Sequence, residues 1–240
     1  MDLLPAIDLR NGKVVRLQRG DYNVQTTYGD DPAAVACEFE RAGATWIHVV
    51  DLDAARSGKL TNTNAITSIR RAVKLNIELG GGARDDASVD AMIEVGAQRV
   101  VVGSAAMKNW AWFERLVARD DLANRIALGL DARNGMLASQ GWTQQTTISA
   151  LDFAKKVKGW SLGAIVYTDI ARDGMLKGIN VDATREIVQA SGVPVIASGG
   201  LASIDDIIQC KKAGCAGAIV GKAWYEGKIN LSDALAQAQN

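Results

Sequence analysis

Short apolar runs alternate with amphipathic stretches along the whole of the 240-residue chain. Runs of this kind, rich in β-branched residues, predict strands, and the stretches between them predict helices. Eight strands are predicted, at residues 3–7, 46–50, 76–79, 99–102, 126–130, 164–167, 194–197 and 216–220. Strictly alternating strands and helices predict a parallel sheet, because parallel neighbours need a helical crossover between them.

The number of these units, set against the chain length, favours a barrel. A (β/α)8 barrel typically needs roughly 250 residues, and this chain has 240, of which 48% are apolar, enough for a core. We therefore predict one α/β domain over residues 1–240, folded as a (β/α)8 TIM barrel. The alternative is a doubly wound open sheet.

The sequence contains start signals for three helices. Asp31 is an N-cap followed by a proline at the first helical position. The segments 85–95 and 203–213 begin with polar residues and continue with apolar residues at helical spacing. Helices are therefore expected after Asp31 and at about residues 85–95 and 203–213.

The chain also contains an internal repeat. IDLRNGKV at residues 7–14 returns as LDARNGML at 130–137, an offset of 123. Residues 53–60 match 169–176, and Asn64 matches Asn180, at an offset of 116. Gly81-Gly82 matches Gly199-Gly200, and Val102-Gly103 matches Val220-Gly221, both at 118. The repeat predicts two half-barrels of four units each, about residues 1–122 and 123–240.

Two aspartates end strands at equivalent places in the two halves. In a parallel barrel the carboxyl ends of the strands share one face, where active sites lie. Asp8 ends the first strand and Asp131 the fifth, so their carboxylates should face each other across the mouth. Opposed carboxylates can serve as general acid and base if their surroundings separate their pKa values. The alternative is that each aspartate caps a loop or pairs with the following arginine.

The Arg-Asn-Gly that follows each of these aspartates is typical of a turn. Gly12 and Gly135 are expected to adopt positive φ, and asparagine favours the bend.

Glycine-rich loops follow the third, fourth, seventh and eighth predicted strands. Their sequences are LGGGAR, VGSA, ASGGLAS and VGKA. Glycines allow backbone amides to approach an anion, and the following helix adds its N-terminal dipole. One Gly-Gly pair is more often a tight turn, but pairs related by the repeat predict two anion sites on opposite sides of the mouth. This arrangement suits an elongated ligand phosphorylated at both ends.

Charge and composition limit partners and location. The 27 basic and 27 acidic residues cancel, which argues against nucleic acid. No signal peptide and no apolar run of membrane-spanning length is found, so we expect a cytoplasmic protein without a membrane partner. Cys37, Cys210 and Cys215 lie in helix-like segments without CxxC spacing and are expected to be reduced. We expect a monomer with neither metal nor cofactor.

Taken together, several segments resemble a known enzyme family. They are LLPAIDLRNGKVVRLQRGDY, WIHVVDLDAA, ELGGGARDD, GLDARNG, the Gly-Trp at 141–142, YTDIARDGMLKGIN, PVIASGG and AIVGKA. In this order, and almost from end to end, the chain resembles the phosphoribosylformimino-5-aminoimidazole carboxamide ribotide isomerases of histidine biosynthesis. The resemblance implies an Amadori rearrangement of a bisphosphorylated aminoaldose to an aminoketose. It also implies that Asp8 is the base and Asp131 the acid.

The resemblance further assigns substrate contacts. The two phosphates would bind at Gly81, Gly82, Gly103 and Ser104, and at Gly199, Gly200, Gly221 and Lys222. Arg16 and Arg84 match positions that contact the substrate, and Thr168 and Asp169 match groups that orient it. Trp142 matches a tryptophan of a mobile loop that stacks over the imidazole carboxamide; otherwise it is core filler.

His48, the only histidine, is expected to be a satisfied core residue. A partnership with Asp51 or Asp8 would let it position a carboxylate, and we do not place it in the catalytic set.

Three alternatives remain open. The cyclase of the same pathway carries a lysine near the position of Arg16, which argues against it. Bifunctional isomerases, which also act on phosphoribosylanthranilate in tryptophan biosynthesis, carry a serine and an arginine where this chain has Gly81 and Gln140, although QTTYG and GARDDAS look like them. A non-catalytic phosphate-ligand-binding barrel would not need an opposed acid and base.

Overall fold

The computed structural model describes residues 1–18, 20–139, 141–142 and 144–239. Its strands are β1 (Asp2–Arg10), β2 (Lys13–Gln18), β3 (Asp21–Gly29), β4 (Trp46–Asp51), β5 (Asn76–Gly80), β6 (Arg99–Val102), β7 (Ile126–Arg133), β8 (Met136–Ser139), β9 (Gln144–Ser149), β10 (Ala164–Asp169), β11 (Val195–Ser198) and β12 (Gly217–Val220). Its helices are α1 (Pro32–Arg41), α2 (Leu52–Ser57), α3 (Thr63–Ala72), α4 (Asp86–Glu94), α5 (Ser104–Lys108), α6 (Trp110–Val117), α7 (Ala150–Lys155), α8 (Val181–Ser191), α9 (Ile204–Lys212), α10 (Lys222–Tyr225) and α11 (Leu231–Gln239), with a 3-10 turn at Asp120–Leu122.

Eight of these strands form a closed parallel barrel. They are neighbours in the order β1, β4, β5, β6, β7, β10, β11 and β12, and β12 pairs with β1 to close the ring. Each corresponds to one of the eight predicted strands. The (β/α)8 barrel is therefore confirmed, and the open-sheet alternative, which would leave two unpaired edges, is wrong.

The barrel separates two apolar regions. A large cluster fills the space between the strands and the helices. A smaller one, built around Leu4, Ala6, Val166 and Ile219, fills the barrel interior, as expected for eight strands, whose interior is just wide enough for side chains.

Each half of the barrel carries a hairpin that the sequence analysis did not predict. Strands β2 and β3 follow β1, and β8 and β9 follow β7. Asn11 and Gly12 have φ of 49° and 75°, and Asn134 and Gly135 have 52° and 76°. Two consecutive positive φ values define the type I′ turn, whose twist matches that of paired strands. The predicted turns are confirmed, and each one starts a hairpin.

The strand register corrects one part of the repeat alignment. Asp51 pairs with the residue after Asp8, and Asp169 pairs with the residue after Asp131. Asp51 is therefore the counterpart of Asp169, and the alignment of Asp53 with Asp169 at an offset of 116 was wrong. The corrected offset, 118, is the one that relates the glycine pairs.

Hydrogen bonding gives the physical reason for this equivalence. The side-chain amide of Asn62 donates to Asp51 Oδ1 at 2.6 Å, and that of Asn180 donates to Asp169 Oδ2 at 2.7 Å. Both asparagines precede a helix, α3 and α8. Asn62, and not Asn64 as aligned from the sequence, is thus the counterpart of Asn180, and each Asp–Asn pair fixes the loop between its strand and its helix.

The predicted helix starts are confirmed. The side chain of Asp31 caps α1, and Asp85 and Ser203 form capping boxes at the starts of α4 and α9. Every helix in the described part of the chain is too short or too polar to cross a bilayer.

All three cysteines are free. Cys37 and Cys210 lie in α1 and α9. Cys215 lies between α9 and β12, so its assignment to a helix was wrong; the helix ends before it at Lys212 because the chain turns there through Gly214 at φ 87°.

Candidate active site

The carboxyl ends of the barrel strands bring the two repeated aspartates to one face. Asp8 lies on β1 and Asp131 on β7, which are four strands apart in a ring of eight. The two carboxyl groups therefore stand on opposite sides of the mouth, as the repeat predicts. Their surroundings differ in charge and in hydrogen bonding.

Asp8 is paired with a cation. Arg16, on the first hairpin, donates from Nη1 to Asp8 Oδ2 at 2.9 Å, and the two side chains are only 16% and 15% exposed. Nε and Nη2 of Arg16 are buried and have no hydrogen-bond partner among the described residues. The guanidinium lies so close to Gly221 that any side chain at 221 would collide with it. Arg16 thus joins Asp8 to the loop after β12 and has donors left for a ligand.

Asp131 is half-buried, and its surroundings differ from those of Asp8. Burial raises the pKa of its carboxyl above the ordinary value, against hydrogen bonds from the side chains of Trp142 and Thr168 and the charge of His48. Buried carboxyls disfavour their charged form. Asp131 is therefore suited to hold a proton for donation.

A third carboxyl at the mouth was missed by the sequence analysis. Burial raises the pKa of Asp173 to about 6; Arg16 opposes this, whereas Asp8 and Asp131 reinforce it. Asp173 is placed by a turn after β10, where its amide donates to the carbonyl of Asp169 at 3.1 Å. Because the charges of Asp8 and Asp131 both raise the pKa of Asp173, the three carboxyls belong to one cluster of charged groups. The quoted segment YTDIARDGMLKGIN contained the only signal, a second aspartate one turn after Asp169.

Trp142 lies over the mouth and not in the core. It is absent from both apolar clusters of the described residues, it is hydrogen-bonded to Asp131, and its ring packs against Gly20 of the first hairpin. The alternative, that Trp142 only fills space in the apolar core, is thus wrong. Stacking on a substrate stays a prediction, and Gln140, used above to argue against the bifunctional isomerases, lies outside the described residues.

The glycine loops have the backbone conformations expected of them. Gly81, Gly82, Gly199 and Gly200 have φ of 95°, 94°, 86° and 99°, which L-residues rarely adopt. A side chain at Gly81 would meet the backbone of Asp51, and one at Gly199 the backbone of Asp169. The two pairs follow β5 and β11, and Gly103 and Gly221 follow the adjacent strands β6 and β12, so the predicted anion sites lie on opposite sides of the ring.

The helix dipoles contribute little to anion binding at these loops. Ser104 and Lys222 begin helices of only five and four residues, and the longer α4 and α9 are capped by their own side chains. A macrodipole sums over aligned peptides, so a single turn supplies little of it. Backbone amides and the cations Arg16 and Lys222 can also donate to an anion.

The other predicted contact residues hold loops together. Arg84 donates from Nη2 to the carbonyls of Ala55 and Arg56 at 3.1 and 3.2 Å. Lys222 donates to the carbonyl of Gly174 at 3.2 Å, next to Asp173. Asp169 accepts from the amide of Ala171 and from Asn180. Direct contact of Arg84, Lys222 and Asp169 with a substrate stays a prediction.

His48 is a satisfied, largely buried residue, and its partner is Glu78. Its Nδ1 lies 2.7 Å from Glu78 Oε1, and Asp51 and Asp8 are bonded elsewhere, to the loop before α3 and to Arg16. The possible partnership with Asp51 or Asp8 does not occur, because the inward face of β4 places His48 beside Glu78 of β5.

Comparison with known proteins agrees with this geometry. A family model described as "Histidine biosynthesis protein" matches residues 2–230. A protein of Geotalea daltonii is 47% identical over 98% of this chain and 97% of its own length, and one of Chloroflexus aggregans is 45% identical over 100% and 98%. Both are named 1-(5-phosphoribosyl)-5-((5-phosphoribosylamino)methylideneamino)imidazole-4-carboxamide isomerase. The chain therefore belongs to this family of histidine biosynthesis proteins.

Proposed function

We propose that the chain is an aldose–ketose isomerase of histidine biosynthesis. Its substrate would be the bisphosphorylated aminoaldose N'-(5'-phosphoribosyl)formimino-5-aminoimidazole-4-carboxamide ribotide, and its product the corresponding aminoketose. The observation that supports this best is the pair of opposed carboxyls in unlike surroundings, Asp8 paired with a guanidinium and Asp131 half-buried and hydrogen-bonded by Trp142 and Thr168. The names of the relatives agree with it.

The reaction needs one proton delivered and one removed. An acid protonates the ribose ring oxygen, and the C1–O bond breaks to give a protonated Schiff base. A base then takes the proton from C2, the electron pair forms the enolamine, and tautomerisation gives the ketose. Asp131 is the proposed acid, with Asp173 sharing this function because its pKa of about 6 lies close to neutral pH. Asp8 is the proposed base.

The two ends of the substrate would be held by the two glycine loop pairs. One phosphate would bind Gly81, Gly82, Gly103 and Ser104, and the other Gly199, Gly200, Gly221 and Lys222. The unpartnered donors of Arg16 support the second site, since they are buried beside Gly221. A guanidinium fork matches phosphate geometry well.

Arg16→Met should raise KM by roughly 10- to 100-fold, because hydrogen bonds to charged groups contribute about 1.5–3 kcal/mol. We expect kcat to fall as well, since Asp8 loses its paired cation. Steady-state kinetics on the bisphosphorylated substrate measures both. Arg185→Met, which removes a surface ion pair with Asp182, is the control. An unchanged KM in Arg16→Met would place the second phosphate elsewhere.

The proposed function is tested by assaying the purified protein separately on two aminoaldoses. Turnover of the bisphosphorylated substrate and none of phosphoribosylanthranilate is the expected result. Turnover of both would identify a bifunctional isomerase, and binding of the first substrate without turnover would identify a non-catalytic barrel. The Asp8→Asn protein serves as the blank for contaminating activity.

We also propose that the protein acts as a cytoplasmic monomer. Three free thiols support a reducing compartment. The proposed acid, base and phosphate-binding groups all come from a single chain, which supports activity without a partner subunit.

A further inference from the structure

The first hairpin, β2 and β3, carries Arg16 beyond the part of β2 that is joined to the barrel. Strand β2 pairs with β1 from Lys13 to Val15, so Arg16 is the first residue past that pairing. Strand β3 is mostly exposed, and among the described residues β2 is its one strand neighbour. The position of Arg16 therefore depends on how the rest of the hairpin is attached.

The turn of this hairpin is held by two side chains from the segment between β4 and α3. Asp53 Oδ2 accepts from the amide of Asn11 at 2.7 Å, and Asn62 Oδ1 accepts from the amide of Gly12 at 2.8 Å. The two side chains are also joined to each other, since Asn62 Nδ2 donates to Asp53 Oδ2 at 2.9 Å. We call Asp53 and Asn62 the turn clamp. Hydrogen bonds to a carboxylate are stronger than neutral ones, so Asp53 supplies the stronger attachment.

A further contact joins the outer strand of the hairpin to the same segment. Tyr22, near the start of β3, donates from its hydroxyl to the carbonyl of Leu52 at 2.9 Å. The guanidinium of Arg56 lies 5.0 Å from the centre of the Tyr22 ring, and that of Arg10 lies 5.3 Å from it. Both separations are those of a cation–π contact. The turn and the outer strand are thus both attached to residues 52–56.

The segment that receives the hairpin also supports the first proposed phosphate loop. A Cβ at Gly82 would lie 2.9 Å from the Cβ of Ala54, so the two backbones are in close contact. Arg16, on the inner strand of the hairpin, lies against Gly221, at the second proposed phosphate site. The turn clamp therefore connects the two loops that are proposed to bind the two ends of the substrate.

The second half of the barrel has neither Asp53 nor Arg16. The counterpart of Asp53, 118 positions later, is Ala171, whose side chain cannot accept a hydrogen bond. The counterpart of Arg16, 123 positions later, is Ser139. A residue that the half-barrel needed in order to fold should occur in both halves. Asp53 instead occurs in the half whose hairpin carries the arginine, which favours a role connected with Arg16.

We propose that Asp53 is a positioning residue: by holding the turn of the first hairpin, it fixes Arg16 where the second phosphate of the substrate binds. This inference rests on the proposed function, because it requires a phosphate beside Arg16. Asp53 does not touch the substrate in this role, and its effect passes through the guanidinium of Arg16.

The test is a double-mutant cycle on KM for the bisphosphorylated aminoaldose. Asp53→Ala should raise KM by roughly tenfold in the parent, the order expected for a lost bond to a charged group. In the Arg16→Met protein it should raise KM by less than about twofold, because no guanidinium is left to position. Asp53→Asn should restore most of the affinity, since its amide oxygen can still accept from Asn11. Equal effects of Asp53→Ala in both backgrounds would indicate a merely structural role and overturn the proposal, as would an unchanged KM in the parent background.

The same hairpin supplies a matched control. Asp30→Ala removes an exposed ion pair with Lys13 and leaves the turn clamp in place, so KM should not change. A rise as large as that in Asp53→Ala would overturn the proposal. If Asp53→Ala does not fold, Tyr22→Phe tests the same attachment by removing only the hydroxyl that binds Leu52. It should raise KM when Arg16 is present and not in Arg16→Met, and an equal effect in both backgrounds again overturns the proposal.

A second measurement needs no turnover. In 15N-arginine-labelled protein, NMR identifies the Nε–H of Arg16 by its loss in Arg16→Met, and this buried hydrogen should exchange slowly with solvent. Exchange should become faster in Asp53→Ala and stay slow in Asp30→Ala. Unchanged exchange in Asp53→Ala overturns the inference even if the enzyme is active. Faster exchange in this variant, when the parent protein turns over neither aminoaldose, would support the positioning of Arg16 and reject the proposed function.

Discussion

Asp8→Asn should lower kcat for the bisphosphorylated aminoaldose by roughly 10²- to 10⁴-fold, the usual contribution of a positioned general base. The amide cannot take the C2 proton, but it has the same shape and can still accept a hydrogen bond from Arg16. Substrate binding should therefore change much less than kcat. Asp131→Asn should cause a loss of similar size by removing the proposed acid. Single-turnover kinetics, with binding measured separately by calorimetry, separates the two effects.

The chain offers a matched control on the same strand. Asp2 is exposed at the start of β1, at the opposite end of the barrel from Asp8. Asp2→Asn should keep the parent rate, because it lies outside the mouth. If Asp8→Asn or Asp131→Asn retains activity within about tenfold of the parent, the corresponding base or acid assignment is wrong.

The barrel could be predicted from the sequence because burial on both faces makes its strands continuous apolar runs. Strand β3 shows why the hairpins could not. Its residues DYNVQTTYG are mostly exposed, and in the described part of the chain it pairs with β2 alone. Since no face of β3 is buried in the core, no alternation marks it, and only the Asn-Gly turn indicated that the chain reverses there.

The repeat predicted the site only where both halves use the same residue. Asp8 and Asp131 were found in this way. The counterpart of Asp173, 118 positions earlier, is Ala55, and the counterpart of His48 is Val166. A comparison of the two halves therefore cannot reveal the third carboxyl or the buried group of His48, Glu78 and Arg99. Both depend on groups that are far apart in the sequence, and short-range sequence patterns do not record such contacts.

Asp173→Asn should lower activity and raise stability at the same time. If Asp173 shares the acid function, kcat should fall by roughly 10²-fold or more. The native pKa of about 6 lies above the ordinary value of 3.8, so the folded state binds more protons than the unfolded state between these pH values. The free energy of unfolding of the parent should therefore decrease as pH rises from about 4 to about 6, by up to about 3 kcal/mol for a shift of this size.

The asparagine variant lacks this titration, so its stability relative to the parent should increase across the same window and then level off. Urea unfolding at several pH values measures the difference, and Asp205→Asn, at an exposed position on α9, is the control. The two readouts answer separate questions. Unchanged activity would leave Asp131 as the sole acid, whereas a stability difference independent of pH would show that Asp173 is not held protonated in the fold. Loss of activity with a gain in stability above pH 6 is the combination expected of a carboxyl that is buried for its chemistry at a cost to the folded state.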